Sequence, residues 1–554
     1  MSPARREWPR RAAGGGGHEG SVGWAMAGLA ALGASLFLWV RPTNFRGYDE
    51  WLIFSLLSRG IVDFPYARRP LNLVWALPAW ALAPDRLWGF LLVHAIWLTL
   101  GGFLVYLLVR RVLPGAPALA FLAGAFTVAW APSDQTRLAS VQMIVYSGCT
   151  FGALLSAWLL VEAWWRRRAS LALLAVVAGG AAVLSMEATL PLLALAPLLL
   201  LPAGGWREWA RWRRWALGWL LLVAAAGWRI VGPLHSGRGE LAYQTEFLLA
   251  DPSPLHVLRR AVGQLRHHLL PLSYSPAQTL AVAAVPMAVV VFVVGLVLAS
   301  RPRVQEESRA TPGRLVLTCV AGLLLAILAY LPFVLNLKTR GPVRTQFLSA
   351  PGVGVLLAAG VALLAWLLPA RARLAGMCAL GSWVVAMGAG HTVAHQQYWN
   401  ARSAYPVQRQ ALLELTALAP DLEPHTLVVV LQEAEIWPYD FSFRHAVEYL
   451  YEGRARGHAQ GVEQLLYDTR FEPEGVYSEP LPVLRGPWRE EVTRYRYEEV
   501  VVFRRKPRGG LTLLDVWPSE LPALGAGVAY APFSRIRTGA RPPRRLSILS
   551  SRGP

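Results

Sequence analysis

Apolar runs long enough to cross a bilayer recur through this chain, and nothing else in the sequence restricts its architecture as strongly. A hydrocarbon core of about 30 Å takes roughly 20 apolar residues wound as a helix. Such runs lie at 22–40, 87–109, 117–132, 143–165, 171–185, 188–202, 215–234, 277–299, 314–335, 350–369 and 374–393. The composition agrees: of 554 residues, 55% are hydrophobic and 16% charged, with a mean hydropathy of +0.37. The expected fold is an α-helical polytopic membrane protein of about 11 transmembrane helices.

One stretch decides that count. Taken as a single helix, residues 171–202 would measure about 48 Å, too long for one crossing. Ser185-Met186-Glu187-Ala188-Thr189 interrupts the run and Pro191 follows, so two short helices with a turn at Glu187 are expected. The split places Arg110-Arg111, Arg166 to Arg168, Arg207/Arg211/Arg213/Arg214, Arg301/Arg303 and Arg371/Arg373 on the side of the basic N-terminus, as the positive-inside bias requires. The excess of 54 Lys+Arg over 34 Asp+Glu then orients helices and implies no nucleic-acid partner. Residues 1–21 read as a basic, Gly-rich cytoplasmic segment. Val22 to Val40 runs on without a small-residue cleavage site, so it reads as an uncleaved first span. Its setting is the cell (plasma or inner) membrane.

This topology makes residues 22–393 the membrane domain and puts the long connections on the outer face. The first, 41–86, should carry an interfacial helix over Glu50–Val62 and a second apolar stretch over Pro70–Leu82. Loop 235–276 repeats the theme from Leu255 to Leu269. From residue 394 the pattern becomes that of a small soluble α/β or α+β domain, 394–533. It comprises an amphipathic helix over Asn400–Leu418, a strand over Thr426–Leu431, a helix over His445–Tyr451, and a strand pair, Glu499–Arg504 with Leu511–Val516, around Pro507-Arg508-Gly509-Gly510. Residues 534–554 read as a flexible basic tail. Cys149, Cys319 and Cys378 all sit in apolar segments, so no disulfide framework is available.

Chemistry is signalled by Asp49 and Glu50, side by side nine residues after the first span. Ionisable groups near hydrocarbon are expensive and are retained for function; the competing reading is that the pair caps the interfacial helix, where acids favour the first turn. Asp134, after Trp130-Ala131-Pro132-Ser133, and Glu187 share the same predicted face. Basic residues that run against the orientation bias, Arg68, Arg69, Lys338, Arg340 and Arg344, can hold phosphate oxygens or lipid headgroups.

Tyr48-Asp49-Glu50 after the first span, Trp130 to Asp134 after the third, the turn at Glu187 and the terminal domain resemble the GT-C-type integral membrane glycosyltransferases. These include the protein O-mannosyltransferase and aminoarabinose-transferase relatives. The likeness covers about the first 390 residues. It implies an enzyme that takes a sugar from a polyprenyl-phosphate-linked donor in the bilayer and passes it to an acceptor hydroxyl outside, with inversion. Asp49 would be the general base, and Glu50 and Asp134 would be further catalytic carboxylates. Arg68, Arg69, Glu187, Lys338, Arg340 and Arg344 would form the substrate-binding set.

An acid pair can recruit a divalent cation, but nothing in the sequence requires one, and no metal ligand set is assigned. His391 and His395 share a helix face without an HExxH pattern, and Gly14 to Gly17 lack the Lys-Ser/Thr of a phosphate loop. Two other readings stand beside the enzyme: a transporter or flippase for a lipid-linked substrate, and a catalytically silent envelope scaffold of the same topology.

Overall fold

The computed structural model describes residues 16–37, 47–63, 69–130, 141, 143–201, 208–235, 253–269, 284–300, 311–334, 344–432, 436–481, 492–506, 510–537 and 543–550. Asp134, Arg68, Lys338 and Arg340 lie outside the described residues, and Arg344 is described in its backbone only.

In chain order the helical region contains α1 (Gly16–Phe37), α2 (Asp49–Ser58), α3 (Leu77–Leu82), α4 (Leu87–Val112), α5 (Pro117–Ala129), α6 (Met143–Arg166), α7 (Ala169–Ser185), α8 (Leu190–Leu195), α9 (Trp209–His235), α10 (Pro254–Leu269), α11 (Ala284–Ala299), α12 (Pro312–Val334), α13 (Ala350–Trp366) and α14 (Arg373–Arg402). Among the described residues five stretches are long and apolar enough to cross a membrane: Leu87–Val112, Met143–Arg166, Pro312–Ala329, Phe347–Trp366 and Ala370–Leu418. Val22–Phe37, Pro117–Ala129, Ala169–Ser185, Glu187–Leu200 and Ala284–Ala299 are apolar but shorter. The 13 residues of α5 reach only about 20 Å.

The interruption expected near Glu187 is present. α7 stops at Ser185, a single 3-10 turn spans Glu187–Thr189, and α8 begins at Leu190. Pro197, which has no N–H to offer the Leu193 carbonyl, keeps α8 and the 3-10 piece Ala196–Leu200 from merging into one regular helix. Elsewhere small residues let backbones touch: a Cβ on Gly322 of α12 would lie 2.6 Å from the Leu356 nitrogen of α13. Such close approach is how helices gain contact where burial from water gives no drive.

The C-terminal region forms two sheets behind α15 (Tyr405–Leu418). The first runs β2-β1-β6-β7, with β1 (Thr426–Gln432) parallel to both β2 (Ala455–Gln460) and β6 (Val500–Arg505), and β7 (Leu511–Leu513) antiparallel at the edge. β1 reads TLVVVLQ because it is the central strand, buried on both faces. α16 (Asp440–Leu450) carries the crossover from β1 to β2. The second sheet is antiparallel, β3 (Tyr467–Glu472), β4 (Gly475–Pro480) and β5 (Thr493–Tyr495).

Two expectations need correction. The helix placed over Glu50–Val62 spans Asp49–Ser58, and every residue from Glu50 to Leu57 is buried, so it is no half-exposed interfacial helix. Gly60, at φ +73°, turns the chain away after it. Nor is the described stretch 543–550 of the expected tail loose. Ile548 and Leu549, in the short helix α17 (Ser547–Ser550), are fully buried, and the Ile548 carbonyl accepts the Tyr405 hydroxyl at 2.8 Å.

Candidate functional site

α2 is where the acid pair sits, and its burial has a specific source: α16 packs across it. Trp51 lies among the rings of Phe54, Tyr405, Trp437 and Tyr449 at centroid distances of 6.1 to 6.5 Å. Phe54 meets Phe90 of α4 edge-on at 5.2 Å. One apolar core thus runs from the membrane-type helices through α2 into the C-terminal domain.

The two carboxylates separate at the first turn. Successive residues on a helix point about 100° apart, so they face different surroundings. Glu50 is 1% exposed, and its Oε2 accepts the backbone N–H groups of Gly47 (3.1 Å) and Tyr48 (2.8 Å). It secures the turn leading into the helix, as the capping alternative anticipated, and the free donors at a helix start favour that charge. Asp49 is half-buried. It therefore has the more accessible carboxylate of the pair.

The seam with the C-terminal domain is polar at three points. Gln408 of α15 accepts the Trp51 indole N–H at 2.9 Å and donates to the carbonyls of Gly47 (2.9 Å) and Ile436 (3.2 Å). Glu448 of α16 accepts the Ser55 hydroxyl at 2.7 Å and pairs with Arg59 at 3.3 Å and with His445 Nδ1 at 2.8 Å. The Tyr449 hydroxyl donates to Asp85, just ahead of α4. Burial alone would push Glu448 up, but the hydrogen bond from His445 and the charge of Arg59 outweigh it and hold the carboxyl well below the usual range. Burial lowers His445. A neutral ring that donates Nδ1–H to Glu448 then accepts the Tyr467 hydroxyl at Nε2, 3.1 Å away. Deeper in the domain His458 stands 3.0 Å from Asp440. Burial works against its charge, but the carboxylate prevails and raises it.

A second charged pair joins residues 118 positions apart. Arg69 donates through Nε to Glu187 Oε2 at 2.7 Å and through Nη2 to Oε1. Both belong to the substrate-binding set that the resemblance implies, and the fold brings these two into direct contact. The loop is stitched to the helix break around them. Asn72 Nδ2 donates to the Ser185 carbonyl at 2.7 Å, the Trp75 indole donates to Ser185 Oγ at 2.8 Å, and that hydroxyl donates to the Leu71 carbonyl at 2.8 Å. Burial would raise Glu187, yet the adjacent guanidinium lowers it, and Arg69 is raised in turn against the effect of burial.

His391 and His395 do face one another, with Nε2 atoms 2.7 Å apart and both rings buried. No group of three or more His, Cys, Asp or Glu side chains placed to hold a metal occurs among the described residues.

Gln408, Glu448, His445 and Tyr449 escaped the reading of the sequence. For Gln408 a signal existed: it stands three residues after Tyr405 and four before Leu412, on the buried stripe of α15, where a polar side chain is out of place unless it has partners.

No protein-family model and no curated protein matches this chain.

Proposed function

We propose that the chain is a GT-C-type membrane glycosyltransferase. In this reading it spans the membrane about eleven times with its N-terminus in the cytoplasm, and the C-terminal domain and the loop bearing Asp49 face outward. It takes a sugar from a polyprenyl-phosphate carrier held in the bilayer and transfers it to an acceptor hydroxyl. The observation that supports it best is the division of labour between the acids: Glu50 fixes the entry to α2, and Asp49, half-buried at the same turn, keeps a more accessible carboxylate.

The chemistry needs little else from that group. Asp49 accepts the proton of the acceptor hydroxyl as its oxygen attacks the anomeric carbon, opposite the phosphate, and the configuration inverts. The C–O bond to phosphate breaks with its electron pair leaving on the phosphate oxygen, which needs cations more than a proton. Arg69 fits that part. Glu187 engages its Nε and Nη2, which orients the guanidinium and leaves Nη1 as the edge for a phosphate oxygen.

The helix break at Glu187 also fits the flippase reading, since transporters bind substrates where helices are discontinuous. One experiment separates the two. Wild type and Asp49→Asn are reconstituted in vesicles and assayed with long-chain polyprenyl monophosphates carrying glucose, mannose or arabinose. The variant should lose about 100-fold or more of the transfer rate. Full activity at equal folded protein removes Asp49 as the base, and carrier movement without sugar release selects the flippase.

A further inference from the structure

The turn that presents Asp49 is held from outside its own loop. Gly47 sits two residues ahead of Asp49 with φ +87°, and its peptide is fixed on both sides: its N–H goes to Glu50 and its carbonyl takes Gln408 Nε2 at 2.9 Å. A Cβ at this position would run into the Gln408 side-chain oxygen, so glycine suits both the conformation and the close seat of the amide.

The orientation of that amide is settled by its partners. An indole N–H only donates and a backbone carbonyl only accepts, so Oε1 must face Trp51 and Nε2 must face Gly47 and Ile436. Trp51 is two residues past Asp49. The Gln408 side chain therefore grips the backbone before the acid and the ring after it, and Gln408 itself is 0% exposed. Tyr439, three residues beyond Ile436, closes the same edge with its ring 6.0 Å from that of Tyr48.

We infer that Gln408, contributed by the C-terminal domain, is a positioning residue for the Asp49 carboxylate, and that the domain completes the catalytic turn. The inference rests on the reading of Asp49 as the base. It gives the domain a role in catalysis without placing any of its atoms on the substrate. Displacing a reacting group by about 1 Å can cost on the order of 100-fold in rate, so loss of this grip should act on turnover and leave donor affinity nearly unchanged.

The test uses the full chain in vesicles and three variants. Gln408→Leu removes all three hydrogen bonds at similar size; Gln408→Glu keeps the acceptor for Trp51 and loses the donors to Gly47 and Ile436; Trp51→Phe does the reverse. Sugar transfer from the same panel of polyprenyl monophosphates is measured per folded molecule, and amide exchange is followed at Tyr48 to Glu50. The expected result for Gln408→Leu and Gln408→Glu is a kcat at least about tenfold lower, KM for the donor within about twofold, and faster exchange at the turn. The effect should be smaller in Trp51→Phe. A purely structural role would lower the folded fraction and leave kcat per folded molecule intact, and that result overturns the inference. So does wild-type kcat in Gln408→Glu while Asp49→Asn is inactive. If Gln408→Leu fails to fold, the other two variants decide. An active Asp49→Asn instead overturns the reading of the base, while the exchange data still report on the grip itself, so the two failures are distinguishable.

Discussion

Replacing Glu448 by Gln should loosen the seam between α2 and the C-terminal domain while leaving the membrane-type helices unaffected. The carboxylate is 4% exposed and accepts two buried donors, the Ser55 hydroxyl and His445 Nδ1–H. A hydrogen bond to a charged group is worth about 1.5–3 kcal/mol and one between neutral groups about 0.5–1.5 kcal/mol. Both donors reach the same oxygen, Oε2, so the amide oxygen can take its place, but each bond then has a neutral acceptor at a loss of about 1 kcal/mol, and the expected penalty is about 2 kcal/mol. Arg59 adds little because it is 29% exposed and its attraction is screened by water. A cost of about 2 kcal/mol makes local opening roughly 30-fold more frequent. Hydrogen exchange reads this directly: amides of α2 should exchange roughly 30-fold faster in the variant, and those of α4 at the wild-type rate. Unchanged protection in α2 would refute the claim that the Ser55–Glu448–His445 chain holds the seam. Equal acceleration in α4 would show global destabilisation instead.

Two further outcomes are expected. Arg69→Ala and Glu187→Ala should each destabilise the protein by about 2 kcal/mol, because each strands the partner's charge, and the double variant should cost less than their sum; a thermal-denaturation double-mutant cycle checks this, and strict additivity would deny the coupling. The second concerns pH. His445 is lowered in the folded protein from an ordinary value of 6.5, so the unfolded chain takes up a proton that the folded one refuses, and stability falls as pH drops below about 6.5. His458 is raised and works in the opposite sense, its contribution complete below 6.5 and lost as pH rises through its folded value. The comparison that isolates His445 is therefore wild type against His445→Asn between pH 7.5 and 5.5, in which the variant should show the shallower decline.

The sequence was readable where one local signal dominates. Ser185 to Thr189 followed by Pro191 announced the break before α8, and the run at Thr426–Leu431 announced the central strand. It was less readable where partners lie far apart. β2, with sequence ARGHAQ, shows no clean alternation because its buried His458 is matched to Asp440 on α16. The division between Asp49 and Glu50 depends on where the first turn of α2 begins, and adjacent letters do not show that. Neither could α2 be recognised as enclosed: Trp51 to Leu57 is as apolar as a surface-seeking helix, and what covers it arrives with Tyr405 and Trp437. The span count is matched only in part, five stretches among the described residues being long and apolar enough to cross a membrane, because apolar length alone does not foretell where a helix ends.

Trp51 and its hydrogen-bond partner are separated by 357 residues. A ribosome adding about 5–20 residues per second takes on the order of 20–70 s to cover that interval. For that time a nascent chain carries Trp51, Leu52, Ile53 and Phe54 without the domain that finally encloses them. The N-terminal part therefore matures last, despite being made first, and a transcript cut short after the membrane helices yields a product in which the turn bearing Asp49 and Glu50 has never been assembled.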